Sequence, residues 1–396
     1  MKKTVSIIGG GAAAIALAAF MNEEKFDVTI FEKNKTLGRK FLVAGKGGFN
    51  LTHSEPLEVL IDRYSPPPFL KAALLSFNNI DFRDWLASIG IPTYVGTSKR
   101  VYPKEGIKPI EVLNAIQAVL EKKKVKIEYN KTWTGWKSDH QLEFDDGVVV
   151  EADYNIFALG GGSWKVTGSD GAWWSVFENS KIDVVTFQSS NCAYKIGWGN
   201  DFKTKYAGAP LKNIAISCLD KTQKGEVVIT EFGLEGNAIY ALSPEIRSGL
   251  NRQKKAIISI DLKPTMTLED IITKLKGSTS KNTTQLLKDK LKLSQVQIGL
   301  LKAFVSKEAF LDTYSLALNI KGLTLTIVDA ANLDEAISTV GGVSISEVDA
   351  NYQLNSIKNS FCIGEMLDWD APTGGYLLQA CFSMGAALAI HLNTKD

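Results

Sequence analysis

The first 32 residues place a glycine cluster between two apolar, β-branched runs. Residues 4–8 form the first run, the chain breaks at Gly9-Gly10-Gly11, an Ala- and Leu-rich stretch continues to Phe20, and a second run ends at Glu32. A dinucleotide-binding βαβ unit requires this order of strand, glycine turn, helix and strand, with an acidic residue about 20 positions further on. The alternative is an α/β protein whose first turn is glycine-rich for another reason.

The small and acidic residues of this segment each have a role in such a unit. Gly9 permits the tight turn, Gly11 lets the backbone approach a pyrophosphate at the helix N-terminus, and Glu32 accepts hydrogen bonds from a ribose diol. Ala14 takes the small position where the helix packs on the strand. The predicted dinucleotide contacts in this segment are Gly9, Gly11, Ala12, Ala13, Ala14, Glu32 and Lys33.

The composition limits the class of protein. With 396 residues, the chain is expected to form two or more domains. Its 45% hydrophobic and 22% charged residues, with a net charge of +2, indicate a globular protein without a nucleic-acid footprint. The apolar run behind the N-terminal lysines is broken at once by glycines, which favours neither a signal peptide nor a membrane span. A cytoplasmic protein without membrane or nucleic-acid partners is expected.

Side chains for metal binding or nucleophilic catalysis are few. The four cysteines form no CxxC pair, which argues against a zinc site and a redox-active dithiol and predicts buried, reduced thiols. Three histidines leave little material for a metal centre or a Ser-His-Asp triad. We therefore expect no metal, and we expect a bound cofactor to carry the redox chemistry.

The pattern of elements divides the chain into three segments. Strand and helix patterns alternate up to residue 187, with a buried strand at 153–158 that runs into Gly160-Gly161-Gly162. From residue 188 the pattern changes to short alternating strands, and three amphipathic helices follow between Leu268 and Phe304. Buried-strand character returns at 360–363, before a final small-residue helix. The prediction is a dinucleotide domain split between 1–187 and 336–396, with an inserted domain at 188–335.

Further motifs follow one another in a characteristic order. They are Gly9-Gly10-Gly11 with Glu32, Gly38-Arg39-Lys40, Gly160-Gly161, Thr167-Gly168-Ser169-Asp170-Gly171, Gly208-Ala209-Pro210-Leu211-Lys212, Phe232-Gly233-Leu234-Glu235-Gly236, Gly341-Gly342-Val343, Gly364-Glu365-Met366-Leu367-Asp368 and Thr373-Gly374-Gly375-Tyr376. Over nearly the whole chain they resemble the YhiN- or BaiN-like NAD(P)/FAD-dependent oxidoreductases, also described as aminoacetone-oxidase-like flavoproteins. The resemblance implies an α/β fold, in which a Rossmann-like, two-dinucleotide-type FAD-binding domain is interrupted by a β-barrel and a helical portion.

The resemblance also implies how FAD lies along the sheet. The adenosine half would contact the N-terminal unit, with Arg39 and Lys40 facing adenine or phosphate oxygens. Gly364 would approach the pyrophosphate, and Glu365 or Asp368 would bind ribityl hydroxyls. Further cofactor contacts expected on this basis are Asn50, Thr52, Gly160 and Gly161.

The start of the last helix is expected to face the flavin ring. In the resemblance, Thr373-Gly374-Gly375-Tyr376 opens this helix and directs its free N–H groups at the flavin C2 carbonyl and N1. The partial positive charge of the helix N-terminus would stabilise the anionic reduced ring. The glycines matter because side chains there would hold the ring away from these N–H groups.

One loop departs from the commoner family pattern. Many relatives read Gly-Gly-Gly-Arg-Cys-Asn where this chain has Gly45-Lys46-Gly47-Gly48-Phe49-Asn50. A mechanism that depends on that cysteine therefore does not carry over. Tyr376, Lys46 and His53 lie near the expected flavin face, but the pattern selects none of them as acid or base, so the catalytic residue stays unassigned.

The predicted function is an FAD-dependent oxidoreductase acting on a small organic molecule, with the flavin as the only redox centre. The sequence after Gly160-Gly161-Gly162 lacks the helix and acidic strand of a second fingerprint, so the candidate donor NAD(P)H is expected to bind transiently or not at all. Two alternatives remain open: a flavin-dependent tRNA-modifying or RNA-binding protein, and a flavin-binding sensor without turnover. The sequence leaves the substrate, the choice between NADH and NADPH, and the oligomeric state undetermined.

Overall fold

The computed structural model describes residues 1–43, 49–276 and 282–395. The chain divides into two compact units by its internal contacts. Unit 1 comprises Met1–Gln188 and Leu333–Asp396, and unit 2 comprises Ser189–Asn332. The predicted boundaries at 187/188 and 335/336 stay a prediction about separately folding domains.

The strands lie as follows, in chain order: β1 (Lys3–Ile8), β2 (Phe26–Glu32), β3 (Thr52–His53), β4 (Thr93–Val95), β5 (Arg100–Pro103), β6 (Lys126–Tyr129), β7 (Trp133–Ser138), β8 (Gln141–Phe144), β9 (Val149–Glu151), β10 (Tyr154–Phe157), β11 (Val184–Ser190), β12 (Tyr194–Ile196), β13 (Pro210–Cys218), β14 (Lys221–Ile229), β15 (Gly233–Glu235), β16 (Ala256–Asp261), β17 (Leu323–Ala330), β18 (Ser338–Val343) and β19 (Ser360–Cys362).

The helices lie as follows, in chain order: α1 (Ala12–Phe20), α2 (Arg39–Val43), α3 (Leu57–Ile61), α4 (Pro67–Ser76), α5 (Asn79–Ser88), α6 (Pro109–Lys122), α7 (Trp174–Asn179), α8 (Asn200–Tyr206), α9 (Asn237–Tyr240), α10 (Ser243–Gln253), α11 (Leu268–Lys276), α12 (Thr283–Leu291), α13 (Gln295–Phe304), α14 (Lys307–Leu311), α15 (Thr313–Lys321) and α16 (Tyr376–Thr394).

Unit 1 is built on a parallel sheet with the strand order β19-β10-β1-β2-β6. β1 pairs in parallel with both β2 and β10, and α1 makes the crossover from β1 to β2. β19, which comes from the C-terminal segment, pairs with β10. The sheet is therefore completed by a strand about 200 residues further along the chain than its neighbour, as the split domain predicted.

α1 and α16 form the helical core behind this sheet. α1 reads Ala-Ala-Ala-Ile-Ala-Leu-Ala-Ala-Phe and is buried on nearly every side, which is the pattern of a core helix. α16 packs against α1 and α4. Within the described ranges, α16 alone has the length and apolar composition of a membrane-spanning helix, and most of it is buried in this core.

A small antiparallel sheet, in the order β3-β5-β4, accompanies the parallel sheet in unit 1. In its register Thr52 pairs with Val101, and His53 pairs with Arg100. This sheet fixes the chain that follows the glycine-rich loop. The loop residues Gly45–Gly48, including Lys46, lie outside the described residues.

Unit 2 contains a closed antiparallel barrel in the order β12-β15-β14-β13-β16-β17. Helices α11, α12 and α13 match the three amphipathic patterns of the sequence. The predicted fold class is thus confirmed: a discontinuous Rossmann-like domain with an inserted β-barrel and helical portion. The four cysteines are free and buried, as predicted.

Prediction for the helix contact. A Cβ at Gly385 of α16 would lie 2.7 Å from both the Ala13 carbonyl oxygen and the Leu17 nitrogen of α1. Alanine favours a helix over glycine by about 1 kcal/mol. At this distance, however, the new Cβ would force the backbones of α16 and α1 apart. We expect Gly385→Ala to lower the free energy of unfolding by about 1–3 kcal/mol, measured by urea denaturation.

The matched control for this prediction is Gly199→Ala. A Cβ at Gly199 would meet no atom within 4 Å, and its φ of −63° suits alanine. Its free energy of unfolding should stay within about 0.5 kcal/mol of the wild type. A Gly385→Ala protein as stable as this control would contradict the close packing of α1 on α16.

Candidate functional site

Three glycine turns meet at one edge of the parallel sheet. They follow the carboxyl ends of β1, β10 and β19, at Gly9–Gly11, Gly160–Gly162 and Gly364. These strands are neighbours and run parallel, so their carboxyl ends lie at the same edge. Ligands of open α/β sheets bind at this edge.

The turn after β1 is shaped by close backbone contacts. Gly9 has φ +98°, and a Cβ there would lie 2.5 Å from the Ala158 carbonyl oxygen. A Cβ on Gly10 would lie 2.4 Å from a Leu37 methyl carbon. Around Gly11, in contrast, a Cβ would meet no atom within 4 Å. The first two glycines are required by the protein's own packing, and the third leaves open space at the start of α1.

The N-terminus of α1 presents free backbone donors. Gly11 is its N-cap, without a side-chain cap, and its first turn, which begins at Ala12-Ala13-Ala14, contains no acidic residue. The first N–H groups of such a helix have no partner within the helix, and they attract anions. Gly364, with φ +83°, approaches this turn so closely that a Cβ would lie 2.9 Å from the Ala13 Cβ.

Glu32 is buried at the end of β2, beside the glycine turn. Its Oε2 accepts a hydrogen bond of 2.7 Å from the Gly10 N–H, and its Oε1 accepts bonds from the backbone and side-chain nitrogens of Asn34 at 2.8 and 2.6 Å. A carboxylate has about four acceptor positions, so three are used and one remains for a hydroxyl. Glu32 therefore both holds the turn and retains capacity for a ribose.

The basic residues after β2 are tied to neighbouring segments of unit 1. The Lys33 ammonium lies 2.7 Å from Asp170 Oδ1. Arg39 donates to Asn34 Oδ1 at 2.9 Å and to the Val166 carbonyl at 2.8 Å. Both side chains thus link the segment after β2 to the Thr167–Gly171 motif, Lys33 to Asp170 within it and Arg39 to Val166 directly before it.

Lys40 and Glu365 form an ion pair across the site. Lys40 Nζ lies 3.0 Å from Glu365 Oε2 and donates to Ser163 Oγ at 2.7 Å. The Thr339 N–H also donates to Glu365 Oε1. The pair joins α2, the β10 turn and the β19 turn, so Glu365 is held in place as an acceptor beside Gly364.

The turn after β10 packs against the C-terminal part of unit 1. Gly160 has φ +72°, and its carbonyl accepts a hydrogen bond from the Trp173 indole. A Cβ on Gly161 would lie 2.0 Å from Thr339 Oγ1 and 3.1 Å from the Glu365 carboxyl carbon. These glycines therefore let the β10 turn approach the residues that position Glu365.

The start of α16 lies directly on β3. Gly374 and Gly375 have φ +123° and +93°, and a Cβ on Gly375 would lie 2.7 Å from the Thr52 nitrogen. The Thr52 hydroxyl donates to Gln379 Oε1 at 2.6 Å and is fully buried. Thr52 thus presents its backbone to this turn, while its hydroxyl is directed into the core.

Three other predicted cofactor contacts lie at the margins of this arrangement. Asn50 is half-buried two residues before Thr52, and Thr373 is half-buried directly before the glycines. Asp368 accepts a hydrogen bond of 2.9 Å from the Gly341 N–H. Asp368 thereby holds the Gly341-Gly342-Val343 motif to the segment after β19, and Glu365 is the acidic residue nearer the glycine turns.

A polar cluster lies next to the Gly374-Gly375 turn, and we call it the Glu55 cluster: His53, Glu55 and Tyr376, which are largely buried, and Arg63, which is more exposed. Glu55 accepts hydrogen bonds from Arg63 Nε at 3.1 Å and from the Tyr376 hydroxyl at 2.8 Å. The His53 ring stacks on Tyr376 with centroids 5.1 Å apart, and its Nδ1 lies 3.6 Å from Glu55 Oε2.

The cluster fixes the charges of its members. Burial raises the pKa of Glu55, but the hydrogen bonds from Arg63 and Tyr376 outweigh burial and leave this pKa below its ordinary value. Burial and the bond to Glu55 raise the pKa of Tyr376. Burial lowers the pKa of His53 against the opposing effects of Glu55 and of a hydrogen bond to the Ser98 backbone, and the charges of Arg63 and Arg100 lower it further. At neutral pH, Glu55 is ionised while Tyr376 and His53 are uncharged.

Sequence reasoning missed several residues of this region. A Cβ at Gly10 would lie 2.4 Å from a Leu37 methyl carbon and 2.9 Å from Glu32 Oε2, but the fingerprint places no requirement on that position. Glu55 and Arg63 stand in a polar segment with no motif, and only folding brings them to Tyr376. Within residues 1–43, 49–276 and 282–395, no group of His, Cys, Asp and Glu side chains is arranged to hold a metal.

The residues of the edge fit an extended dinucleotide such as FAD. The uncapped start of α1 and the glycine at 364 leave backbone, rather than side chains, where a pyrophosphate is expected. Glu32 retains acceptor capacity at the ribose end, and Glu365 is held at the opposite side of the turn. The donor set is thus polar and glycine-lined, as pyrophosphate and polyol recognition require.

Comparisons with known proteins agree with this fit. The family described as HI0933-like protein Rossmann domain matches residues 3–391. A 3-dehydro-bile acid delta(4,6)-reductase of Clostridium scindens is 25% identical, with 96% of this chain and 97% of the relative aligned. A ribosomal RNA dihydrouridine synthase of Haemophilus influenzae is 24% identical, with 98% of both chains aligned. The open conformation of a flavocytochrome c3 fumarate reductase is similar in fold, with a TM-score of 0.50 and 12% identity over 100% of this chain and 79% of that one.

Prediction for the ribose end of the site. Glu32→Gln keeps the size of the side chain but removes the charge that accepts from Gly10 and Asn34. Hydrogen bonds to charged groups contribute about 1.5–3 kcal/mol, so we expect FAD affinity to fall by about 10-fold or more. Titration of the apoprotein with FAD, followed by flavin fluorescence, measures this. Glu128→Gln, on the exposed side of β6, is the control and should bind FAD as the wild type does. Equal affinity in both variants would contradict the assignment.

Prediction for the Glu55 cluster. Because the folded pKa of Glu55 lies below its unfolded value of about 4.3, its stabilisation is present above that pH and is lost as the pH falls through the folded pKa. Glu55→Gln should lower the free energy of unfolding at pH 7 by about 1–3 kcal/mol. The free energy of unfolding of this variant should also decrease less steeply as the pH falls. Urea unfolding from pH 7 down to pH 3 tests this, with the exposed Glu105→Gln as control. An unchanged pH dependence would refute the buried ion pair.

Proposed function

Since the chain belongs to the HI0933-like Rossmann family of FAD-dependent oxidoreductases, we propose that it reduces a carbon–carbon double bond conjugated to a carbonyl group. The substrate is a small organic molecule, and the flavin is the only redox centre. The catalytic unit is unit 1, whose glycine turns and Glu365 are assigned to the cofactor.

The observation that carries this proposal is the pair of activities for which two relatives are named, each of them aligned with this chain over nearly its full length. One is named as a reductase of delta(4,6) double bonds in a 3-dehydro bile acid, and the other as a synthase of dihydrouridine. A steroid and a uracil ring differ in size and polarity. Their common feature is a double bond whose electrons are conjugated to a carbonyl oxygen. A chain related to both over almost its entire length is best assigned that bond.

The residues of unit 1 supply what such a reaction needs from a protein. FAD supplies hydride-transfer chemistry when it is bound. The start of α1 and Gly364 hold the pyrophosphate, and Glu32 and Glu365 hold the two polyol ends. The N-terminus of α16, behind Gly374 and Gly375, places positive dipole where negative charge develops.

In this proposal the electrons come from NAD(P)H. The proposal also assigns the enzyme to the cytoplasm. The β10 turn is followed by a short helical turn at Lys165–Thr167, by α7 and by β11. β11 pairs with β18 and not with the parallel sheet, so the described residues do not form the βαβ unit of a second dinucleotide fingerprint. The nicotinamide cofactor therefore binds transiently, and FAD is the resident group.

Ribosomal RNA is a second candidate substrate. The Haemophilus influenzae relative favours it, because its name specifies this macromolecule. The charge balance opposes it: 45 basic and 43 acidic residues provide little excess positive charge for a phosphate backbone. We therefore propose a small molecule as the substrate, and the experiment also tests ribosomal RNA.

The purified protein should show a two-banded flavin spectrum that bleaches under anaerobic NADH or NADPH. The reduced protein should then be reoxidised without oxygen by cyclohexenone or a steroid enone, but not by cyclohexene, which has the double bond without the carbonyl. Stopped-flow absorbance measures both halves.

Three outcomes contradict the proposal in different ways. A colourless protein that does not take up FAD removes the cofactor assignment. Flavin that is bleached but reoxidised only by oxygen removes the conjugated-bond substrate class. Reoxidation by unmodified ribosomal RNA in preference to every enone, with salt-sensitive binding, makes RNA the substrate instead.

A further inference from the structure

We infer that Arg100 and His53 form a subsite for the carbonyl oxygen of the substrate. The inference rests on the proposed function and deepens it, because reduction of a conjugated double bond places negative charge on that oxygen. We call this pair the Arg100–His53 face. It belongs to the small sheet of unit 1 and lies beside the start of α16.

The strand register brings the two side chains together. His53 in β3 pairs directly with Arg100 in β5. Residues opposite each other on antiparallel strands have their side chains on the same face of the sheet. Arg100 Nε lies 3.4 Å from the position that a Cβ of Gly374 would take. The guanidinium thus borders the glycine turn that is assigned to the flavin ring.

The charges of the neighbourhood leave Arg100 available. Glu55 is the carboxylate of the adjoining cluster, and Arg63 pairs with it through two nitrogens. His53 and Tyr376 carry no charge at neutral pH. Among the residues that the structure describes, none forms a hydrogen bond or an ion pair with the half-buried Arg100 guanidinium. One positive charge therefore remains uncompensated at this turn.

His53 adds a polar atom to the same face. The residue is 8% exposed, and its Nδ1 forms no hydrogen bond in the described part of the chain, with Glu55 Oε2 3.6 Å away. Buried polar atoms of side chains usually have a partner. Its ring is held by stacking on Tyr376, and Tyr376 is in turn fixed by Glu55. The Glu55 cluster thus positions His53, while Arg100 supplies the charge.

The reaction balances with this assignment. FAD held by the glycine turns of unit 1 would, once reduced by NAD(P)H, supply a hydride to the carbon β to the carbonyl. The electron pair of the double bond moves onto the carbonyl oxygen as an enolate, and Arg100 stabilises this charge. A proton from solvent then adds to the α carbon, and the carbonyl reforms. The double bond is reduced by two electrons, and the cofactor is oxidised by the same two.

The test uses a stable oxyanion in place of the enolate. 4-Nitrophenolate has a phenolate oxygen whose negative charge is delocalised into the ring, as in an enolate. Without NAD(P)H it undergoes no hydride transfer. Its binding to the FAD-loaded full-length protein is measured by equilibrium dialysis. The variants are Arg100→Met, Arg100→Gln, Arg100→Lys and His53→Phe. The control is Lys99→Met, which removes the same charge from the preceding, exposed residue.

We expect Arg100→Met and Arg100→Gln to weaken 4-nitrophenolate binding by about 10-fold or more, as loss of a charged hydrogen bond predicts. Arg100→Lys should retain part of the affinity, and Lys99→Met all of it. His53→Phe keeps an aromatic ring against Tyr376 and should weaken binding by about 2- to 10-fold. Every variant should retain FAD, and the flavin absorption spectrum should stay unchanged.

The outcomes separate this inference from the proposed function. Unchanged 4-nitrophenolate affinity in both Arg100→Met and Arg100→Gln overturns the subsite. A shifted midpoint potential with unchanged affinity also overturns it and assigns Arg100 to the flavin. If the wild type binds 4-nitrophenolate through Arg100 but reduces no enone, the subsite stands and the proposed reaction fails.

Discussion

Close approach between backbones at glycine positions organises unit 1. Gly9 of the first turn meets the Ala158 carbonyl at the end of β10, and Gly364 after β19 meets Ala13 in the first turn of α1. Gly385 of α16 meets the backbone of α1. A side chain at Gly9 would push the first turn away from the end of β10, and one at Gly364 or Gly385 would push the β19 turn or α16 away from α1. The start of α1 is therefore held in a fixed position, with its N–H groups free at the sheet edge.

The charged pairs of the site depend on that arrangement. Because the turns meet at one edge, Lys40 in α2 reaches Glu365 in the turn after β19. The Gly375 turn packs on Thr52 and brings Tyr376 to Glu55. Each pair compensates a buried carboxylate that would otherwise be costly to desolvate. Arg100 has no such partner in the described ranges, and this contrast gives it a different role from Arg63.

The chain is an FAD-dependent oxidoreductase of a family whose named members act on chemically distant substrates. A common cofactor cradle with a variable substrate face accounts for this physically. Backbone N–H groups and glycines recognise the pyrophosphate and leave little room for change. The Arg100–His53 face is built from side chains on a small sheet, and side chains are replaced more easily than a backbone turn.

The sequence by itself determined the elements and the cofactor class. The βαβ unit, the buried strand before Gly160-Gly161-Gly162, the three amphipathic helices between Leu268 and Phe304 and the split of the Rossmann-like domain could all be predicted, because periodicity and glycine placement are local properties. The resemblance added the family. Neither required knowledge of which distant residues touch.

Only the tertiary structure decided which side chains form the site. It turned the Thr52 hydroxyl toward Gln379, joined Lys40 to Glu365 over 325 positions and brought Glu55 to Tyr376 over 321 positions. It also placed His53 opposite Arg100 through the pairing of β3 with β5. Contacts of this kind depend on strand register and helix docking, for which an isolated Glu, Arg or His in a polar loop carries no local pattern. The cofactor end of the site follows from backbone turns encoded locally, while the substrate end follows from side chains that meet only after the chain has folded.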